Sequence, residues 1–285
     1  MKNPFRPAAA LPFLSLLLVI QLWLPGPPAM AAPALLEELS YRLEVLTWQD
    51  AARVRLTLHR VGPGRYEAEI VGEAMGIFKS LSAGQRERLQ TEMVWRHQQL
   101  LPLIYREESL RRGKRRLKEY RFDYDKCQLA LWEWHAGKGL MKKWQTELAT
   151  QVYDPLSAFY NIRLGILKPN QAGETNAIPA IPYPRPGNME VGLAPAPNSQ
   201  LKAMVSLVNP LFQGSRGQIF AYVDQRLVPQ QIWTTISGIT IRAMLLPGGV
   251  IMPPGLAELT ASGSANARRL PMNDLPAIAA AGESR

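Results

Sequence analysis

Two pairs of residues have types and spacings that acid–base or acyl-transfer chemistry uses. Asp123 and Asp125 are two residues apart in a strand pattern, which places both carboxylates on one face, as in the acid–base pair of a glycosidase. Ser199 and Lys202 match the Ser-x-x-Lys spacing of acyl-transferring serine enzymes. The carboxylates also fit a solvated strand face, and Ser199 enters a strand pattern rather than a helix. We therefore expect no catalytic residues.

Metal-binding and thiol chemistry have little support in the sequence. His59, His97 and His135 each lack a second potential ligand at helix or hairpin spacing, which is typical of ordinary solvated histidines. Cys127 is the only cysteine, so an internal disulfide and a zinc site with several thiolates are excluded. No Cys-x-x-Cys pattern or helix N-terminus activates it, and we expect a small buried residue. The sequence thus predicts no metal site and no cofactor.

Positive charge is the strongest chemical signal. The chain has 33 Lys and Arg against 23 Asp and Glu, which gives a net charge of +10. Basic residues concentrate at one predicted hairpin tip, and those at the turn are Arg111, Arg112, Lys114, Arg115 and Arg116. We predict that this turn binds anions at an anionic membrane surface or envelope component, where each cation adds about 1 kcal/mol. A solvated turn is the alternative. Nucleic acid is not expected, since no nucleic-acid motif accompanies these residues.

Aromatic residues supply a candidate ligand groove on the predicted strands and helix. The groove residues are Trp132, Trp134, Phe159, Tyr160 and Trp233. Trp132 and Trp134 alternate with Leu131, so this strand has apolar residues on both faces, as expected where a helix or a ligand covers each face. The space between sheet and helix is then either packed solid or a lipid-sized groove, and the sequence leaves both open.

An antiparallel sheet must position most of these residues. Period-two alternation with intervening turns recurs over residues 41–148 and again over 202–246. The clearest hairpin has its turn at Gly62-Pro63-Gly64. Residues 86–98 fit either a polar helix or a strand, and we favour the strand. We also predict a long strand over Arg115–Trp134.

One amphipathic helix interrupts the strands. Asp154 can cap it, Pro155 suits its first turn, and apolar residues follow at helical spacing. Residues 169–197 contain seven prolines, so we expect a Pro-rich irregular insertion with at most short extended pieces. The predicted fold class is mainly β, a strongly curved antiparallel sheet or open barrel with one or two helices covering it. We expect a single domain over 35–256 and a disordered tail over 257–285.

The N-terminus has the features of a secretory signal peptide. Lys2 and Arg6 precede an apolar stretch from Ala8 to Leu24, and Ala29-Met30-Ala31 fits the cleavage pattern. Proline breaks the apolar run, which is shorter than the roughly 20 residues of a spanning helix. We expect removal of residues 1–31 and a periplasmic protein. Because no cysteine lies near the cleavage point, a lipoprotein anchor is not expected.

Several short motifs carry a family resemblance. They are DPLSAFYNIR at 154–163, RFDY at 121–124, LVP at 227–229 and IRA at 241–243. Together they resemble an uncharacterised bacterial family, the domain of unknown function 3108 family, over residues 35–252. The resemblance implies an exported, mostly β protein similar to the open barrel of periplasmic lipoprotein carriers, in which a curved sheet cups a lipid. The family brings no established catalytic residues.

These observations predict a non-catalytic periplasmic protein that binds or carries a lipid or other amphiphile in a curved-sheet groove. The alternative is an envelope scaffold that contacts polysaccharide or takes part in outer-membrane assembly through sheet edges and the Pro-rich segment. An enzyme acting on cell-wall glycan is a third hypothesis, which requires turnover to depend on Asp123 or Asp125. The sequence does not indicate an oligomeric state.

Overall fold

The computed structural model describes residues 32–81, 84–168, 175–181, 185–197, 200–206, 217–236 and 238–251 of the 285-residue chain. The predicted signal peptide, the predicted tail and Ser199 lie outside these residues. From Pro33 onward, the described residues belong to one compact unit of the chain.

Fourteen strands and two helices are found in the described residues. The strands are β1 (Ala34–Val45), β2 (Trp48–Gly62), β3 (Arg65–Ala74), β4 (Arg86–Arg96), β5 (Gln99–Arg111), β6 (Lys114–Asp123), β7 (Gln128–His135), β8 (Gly139–Glu147), β9 (Thr175–Ala180), β10 (Gly187–Pro195), β11 (Leu201–Ser206), β12 (Gln218–Val223), β13 (Pro229–Ile236) and β14 (Ile239–Ile251). The helices are α1 (Gly76–Leu81) and α2 (Pro155–Arg163). In the described segments, neither helix has the length and apolar character needed to cross a bilayer.

All of these strands belong to one antiparallel sheet, in the order β8-β7-β6-β5-β4-β3-β2-β1-β14-β13-β12-β11-β10-β9. Consecutive strands pair within β1–β8 and within β9–β14, and the pairing of β1 with β14 joins the two halves. Strands β8 and β9 are the edges, so the sheet formed by the described residues is not closed. The predicted fold class, a mainly β curved sheet or open barrel with a helix, is confirmed.

The β2–β3 hairpin shows how alternation decides which face is buried. Leu56 pairs with Ile70, and Leu58 pairs with Ala68, so these side chains share one face of the sheet. Leu58 and Ala68 have no exposed surface, at 0% each. Gly64 turns the chain with a φ of +63°, which glycine adopts without steric cost. The hairpin predicted from the sequence is confirmed.

One predicted strand is divided by a turn. Residues Arg115–Trp134 form β6 and β7, with the turn at 124–127 between them. The Asp123 carboxylate accepts the backbone N–H of Lys126 at 3.0 Å, which stabilises this turn. Cys127 ends the turn with a φ of +49° and is exposed, so the expectation of a buried cysteine is wrong.

The Pro-rich segment also differs from its prediction. Within residues 169–197, β9 and β10 pair with each other, so the described parts are not an irregular insertion. Pro179 lies in β9, and an edge strand tolerates proline because one side of its backbone needs no ladder hydrogen bond. By contrast, the strand favoured for residues 86–98 is confirmed as β4.

Helix α2 lies inside the curve of the sheet. Its Leu156 and Tyr160 pack with buried residues of β1–β5. On the opposite side of the helix, Ala158 packs with Ile178 of β9 and Val191 of β10. Because these two groups of strands are far apart in the sheet order, their contact with one short helix requires the sheet to curve around it.

A buried cap fixes the N-terminus of α2, as predicted. Asp154 Oδ1 accepts the backbone N–H groups of Leu156 at 2.8 Å and Ser157 at 3.2 Å. Asp154 Oδ2 accepts the hydroxyl of Thr91, on β4, at 2.9 Å. Burial raises the pKa of Asp154 above its ordinary value, and the hydrogen bonds from Ser157 and Thr91 oppose that rise. The cap therefore also ties the helix to the sheet.

Candidate functional site

The concave face of the sheet has a covered half and an open half. Along β2, Leu56 and Leu58 are buried, whereas Val54 on the same face is only half-buried. Along β1, the same change occurs between buried Leu39 and half-buried Leu43. Helix α2 covers the first half, and apolar side chains remain uncovered near the end of the sheet that carries the β1–β2 and β5–β6 turns.

Small residues deepen the open half. Ala52 pairs with Ala74 and Val54 pairs with Gly72, so three small residues occupy neighbouring inward positions. A glycine inside a strand leaves room for close approach by a ligand or another chain. A Cβ built on Gly72 lies 3.7 Å from Val54 Cγ2, an ordinary contact, so this position can accept a side chain without strain.

Two adjoining grooves result from this arrangement. The inner groove, about 380 Å³, lies between α2, β1–β3 and β12–β14, and its lining includes Phe159 and Ile232. The outer groove, about 940 Å³, extends from β1–β3 to the β5–β6 hairpin. Leu43, Val54 and Ile70 line both, so the two grooves are continuous.

Four basic residues of the β5–β6 hairpin lie along the outer groove. They are Arg111, Arg112, Lys114 and Arg116. Ser109 and the buried Tyr105 are an even number of residues apart on β5, so both lie on the concave face. Arg116 pairs with Ser109 and therefore lies on the concave face as well. The fifth predicted residue, Arg115, lies on the opposite face, where its Nε donates to Glu108 at 2.5 Å. The basic turn is therefore divided between the two faces of the sheet.

The basic side chains in and beside the outer groove differ in whether a carboxylate pairs with them. Next to the basic end of the groove, Lys118 lies 3.7 Å from Glu107, and burial raises the pKa of Glu107. At the end itself, no ion pair is found between a carboxylate of the described residues and the side chains of Arg111, Arg112, Lys114 and Arg116. The basic residues of this end therefore give the groove a net positive charge.

Trp132 and Trp134 are not part of the groove, which corrects their predicted place. On β7, Leu129 and Leu131 are the buried residues, so the tryptophans alternate to the opposite face. There the guanidinium of Arg121 lies 4.7 Å from the Trp132 ring centroid. Trp134 is 39% exposed. Both rings belong to the charged outer face.

The other three predicted groove residues have three different environments. Phe159 is half-buried and lines the inner groove. Tyr160 is fully buried in the core, where burial raises its pKa well above the ordinary value, so it is packing rather than groove surface. Trp233 lines the inner groove, but its ring packs on Phe220 and Tyr222, with centroids 5.6 and 4.8 Å away.

Asp123 and Asp125, two of the residues with catalytic spacing, have different partners at the β6–β7 turn. Asp123 accepts the Lys126 ammonium at 3.0 Å, and this hydrogen bond lowers the pKa of Asp123. The Asp125 side chain is 91% exposed, in the turn. Lys202 lies 4.8 Å from the Phe220 ring centroid, whereas Ser199 is outside the described residues.

The three histidines, as potential metal ligands, lie on different strands or turns of the sheet. His59 is half-buried, while His97 and His135 are exposed at turns or strand ends. Among the described residues, no group of three or more His, Cys, Asp or Glu side chains is arranged to hold a metal ion. The concave grooves are thus the best candidate for a functional site.

Comparison with known proteins gives a family match and similarities to solved structures. The family model described as protein of unknown function (DUF3108) matches residues 39–193. A solved structure from Brucella abortus, a beta-barrel-like protein of domain of unknown function DUF1849, is 8% identical. The alignment covers 78% of this chain and 100% of that one, with a TM-score of 0.46. No curated protein matches the chain.

Proposed function

This chain belongs to the DUF3108 family of proteins of unknown function, and we propose that it binds an amphiphile, such as a lipid, in the continuous groove of its concave face. The observation that carries this proposal is the bare half of the concave face. Leu43, Val54 and Ile70 stay half-buried, although their neighbours along the same strands are covered by α2. An apolar tail of a ligand would bury them.

The dimensions of the grooves support a ligand rather than a packing defect. Ligand pockets in proteins are commonly about 300–1,000 Å³, whereas voids in a packed core seldom exceed a few water molecules. The inner groove is about 380 Å³ and the outer groove about 940 Å³. The two also join along three apolar residues, which suits a long, flexible tail better than a compact solute.

We place this binding in the periplasm, where a carrier would shield a lipid tail from water between membranes. The support is the signal-peptide pattern of residues 1–31, with its basic start, apolar stretch and Ala29-Met30-Ala31. In this role the protein binds and releases its ligand without changing it chemically.

Filling the groove tests the proposal. Gly72→Leu puts a branched side chain into the outer groove at a position where a Cβ makes only an ordinary contact. Gly62→Leu is the matched control, since Gly62 lies on the same hairpin and is absent from the lining of both grooves. Binding of a fluorescent monoacylglycerol would be measured by titration.

We expect Gly72→Leu to weaken monoacylglycerol binding by at least roughly tenfold. The new side chain occupies space that part of the acyl tail would fill, and the lost burial of that part of the tail is worth over about 1.4 kcal/mol. The Gly62→Leu protein should bind as the original does. Equal binding by all three proteins, with unchanged circular dichroism, would show that the groove is not the site.

A further inference from the structure

We propose that the amphiphile has an anionic head group, and that Arg111, Lys114 and Arg116 hold this group at the end of the outer groove while the tail extends along Val54 and Ile70. This inference rests on the proposed function and names the chemical class of the ligand. It follows from where the inward rows of side chains change from apolar to basic.

The inward-facing residues of the open half become more polar from one strand to the next, from β2 towards the β5–β6 hairpin. On β2 and β3, the open half of the concave face is Val54, Ile70 and the small residues beside them. Leu89, on β4, is the next inward apolar residue of the outer groove. On β5 and β6, the inward residues that line the outer groove are polar, with Ser109 opposite Arg116 and Arg111 opposite Lys114. One end of the groove is thus apolar and the other is basic.

The separation of these ends fits an acyl chain with a head group. Three strand-to-strand steps lie between β2, which carries Val54, and β5, which carries Arg111. At about 4.8 Å a step, the distance along the sheet is about 14 Å. A compact anion such as free phosphate would occupy only the basic end and would leave the apolar end exposed to water.

The basic side chains at the groove have the charge and geometry for an anionic head group. Arginine guanidinium groups form paired hydrogen bonds with phosphate or carboxylate oxygens. The neighbouring cations are already neutralised: Arg115 bonds Glu108 at 2.5 Å, and Arg106 bonds Glu119 at 2.7 Å. Among the described residues, no carboxylate forms an ion pair with Arg111, Lys114 or Arg116, so an external anion would supply the missing charge.

Two carboxylates also line the outer groove and reduce its positive charge only in part. Glu73 bonds the guanidinium of Arg86 at 3.0 Å. Glu87 accepts a hydrogen bond from the Gln85 side chain at 2.6 Å. Against these two acids stand four basic residues in the same lining, so the balance favours an anion.

Arg115 and Arg116 lie on opposite faces of the sheet, which allows an experiment with a matched control. Arg111→Ser with Arg116→Ser removes two charges from the groove, and Arg115→Ser with Lys142→Ser removes two from the outer face, where Lys142 lies over Trp132. Both double variants carry the same net charge. The probes are lysophosphatidylglycerol, a monoacylglycerol with the same acyl chain, and glycerol 3-phosphate, which has no tail.

We expect the original protein to bind lysophosphatidylglycerol at least roughly tenfold more tightly than the monoacylglycerol, since hydrogen bonds to charged groups exceed the 1.4 kcal/mol of a tenfold change. The groove variant should lose this preference and bind the monoacylglycerol normally. The outer-face variant should keep the preference. Glycerol 3-phosphate should bind weakly to all three proteins.

Other results would overturn the inference in distinguishable ways. Equal affinity of the original protein for the charged and uncharged lipids would remove the head-group role and leave amphiphile binding intact. Equal losses in the two double variants would show a general effect of net charge. Tight binding of glycerol 3-phosphate would identify a free phosphate site instead, and absence of binding by both lipids would reject the proposed function as well.

Discussion

The side chain of Asn161, in α2, binds both polar backbone groups of Leu100, in β5. Leu100 N–H donates to Asn161 Oδ1 at 3.0 Å, and Asn161 Nδ2 donates to the Leu100 carbonyl at 2.8 Å. Strand β6 pairs with β5 only from Ile104 onward, so Asn161 takes the place of a strand partner here. This contact fixes the position of α2, which decides how much of the concave face stays open.

Removal of this contact should destabilise the fold. Asn161→Ala leaves a buried N–H and a buried carbonyl unpaired, and each costs about 1–3 kcal/mol. We expect the free energy of unfolding to fall by about 2–4 kcal/mol in a urea titration followed by circular dichroism. Asn176→Ala is the control, since the exposed Asn176 also donates to a backbone carbonyl, at 2.8 Å, and should change stability by under about 0.5 kcal/mol. Similar stability of both variants would contradict this role for Asn161.

The buried cap should make stability depend on pH. Because burial raises the folded-state pKa of Asp154, the unfolded chain loses this proton first as pH increases. Protonated Asp154 therefore contributes fully to the stability of the folded protein at pH values below its unfolded-state pKa. This contribution is lost as pH rises through its folded-state pKa.

Asp154→Asn keeps the cap acceptor and does not titrate. We expect this variant to gain stability relative to the original protein as pH rises above the ordinary aspartate pKa. Unfolding titrations between acidic and neutral pH check this. A difference between the two proteins that stays constant with pH would contradict the raised pKa.

The buried ion pair between Glu37 of β1 and Arg163 of α2 should be costly to break. Both side chains are almost fully buried, at 0% and 2% exposed. Glu37→Gln should cost about 3–5 kcal/mol, because it leaves the guanidinium buried without its charge partner. Asp50→Asn, in the exposed pair with Arg53, should change stability far less, because solvent screens this pair.

A double variant separates charge burial from packing at the same place. Glu37→Leu with Arg163→Met removes both charges, and we expect a stability equal to or above that of the original protein. If the double variant is as unstable as Glu37→Gln, the pair contributes through shape rather than charge compensation. Thermal unfolding of the three proteins gives the comparison.

The exposed turn cysteine should react while the protein is folded. Cys127 has a positive φ in the turn between β6 and β7 and is exposed. We expect an aromatic disulfide reagent to modify about one thiol per chain within minutes, at the rate found in denaturant. Cys127→Ser should abolish the reaction, and protection until unfolding would contradict the exposed placement.

Alternation predicted the sheet well, because period two is a local property of each strand. The small residues that open the groove, Ala52, Gly72 and Ala74, were not among the predicted groove residues, although they continue the apolar face of the predicted hairpin. Which half of that face α2 covers was not predictable. It depends on contacts between distant residues, such as Asn161 with Leu100.

The misplacement of Trp132 and Trp134 has a specific cause. A continuous strand over 115–134 would put them on the same face as Tyr120. The turn at 124–127 changes that relation, since Tyr120 pairs with Leu131 across β6 and β7. One unrecognised turn therefore moves both tryptophans to the other face. The sequence also shows five basic residues together, but only the strand register separates Arg115 from the groove.

Native mass spectrometry of the protein purified from its own cells tests amphiphile binding most directly. We expect a bound species of lipid mass that disappears on denaturation, persists in Gly62→Leu and is missing from Gly72→Leu. A single unliganded mass for the original protein, unchanged after incubation with lysophosphatidylglycerol and with the monoacylglycerol, would contradict the proposed function.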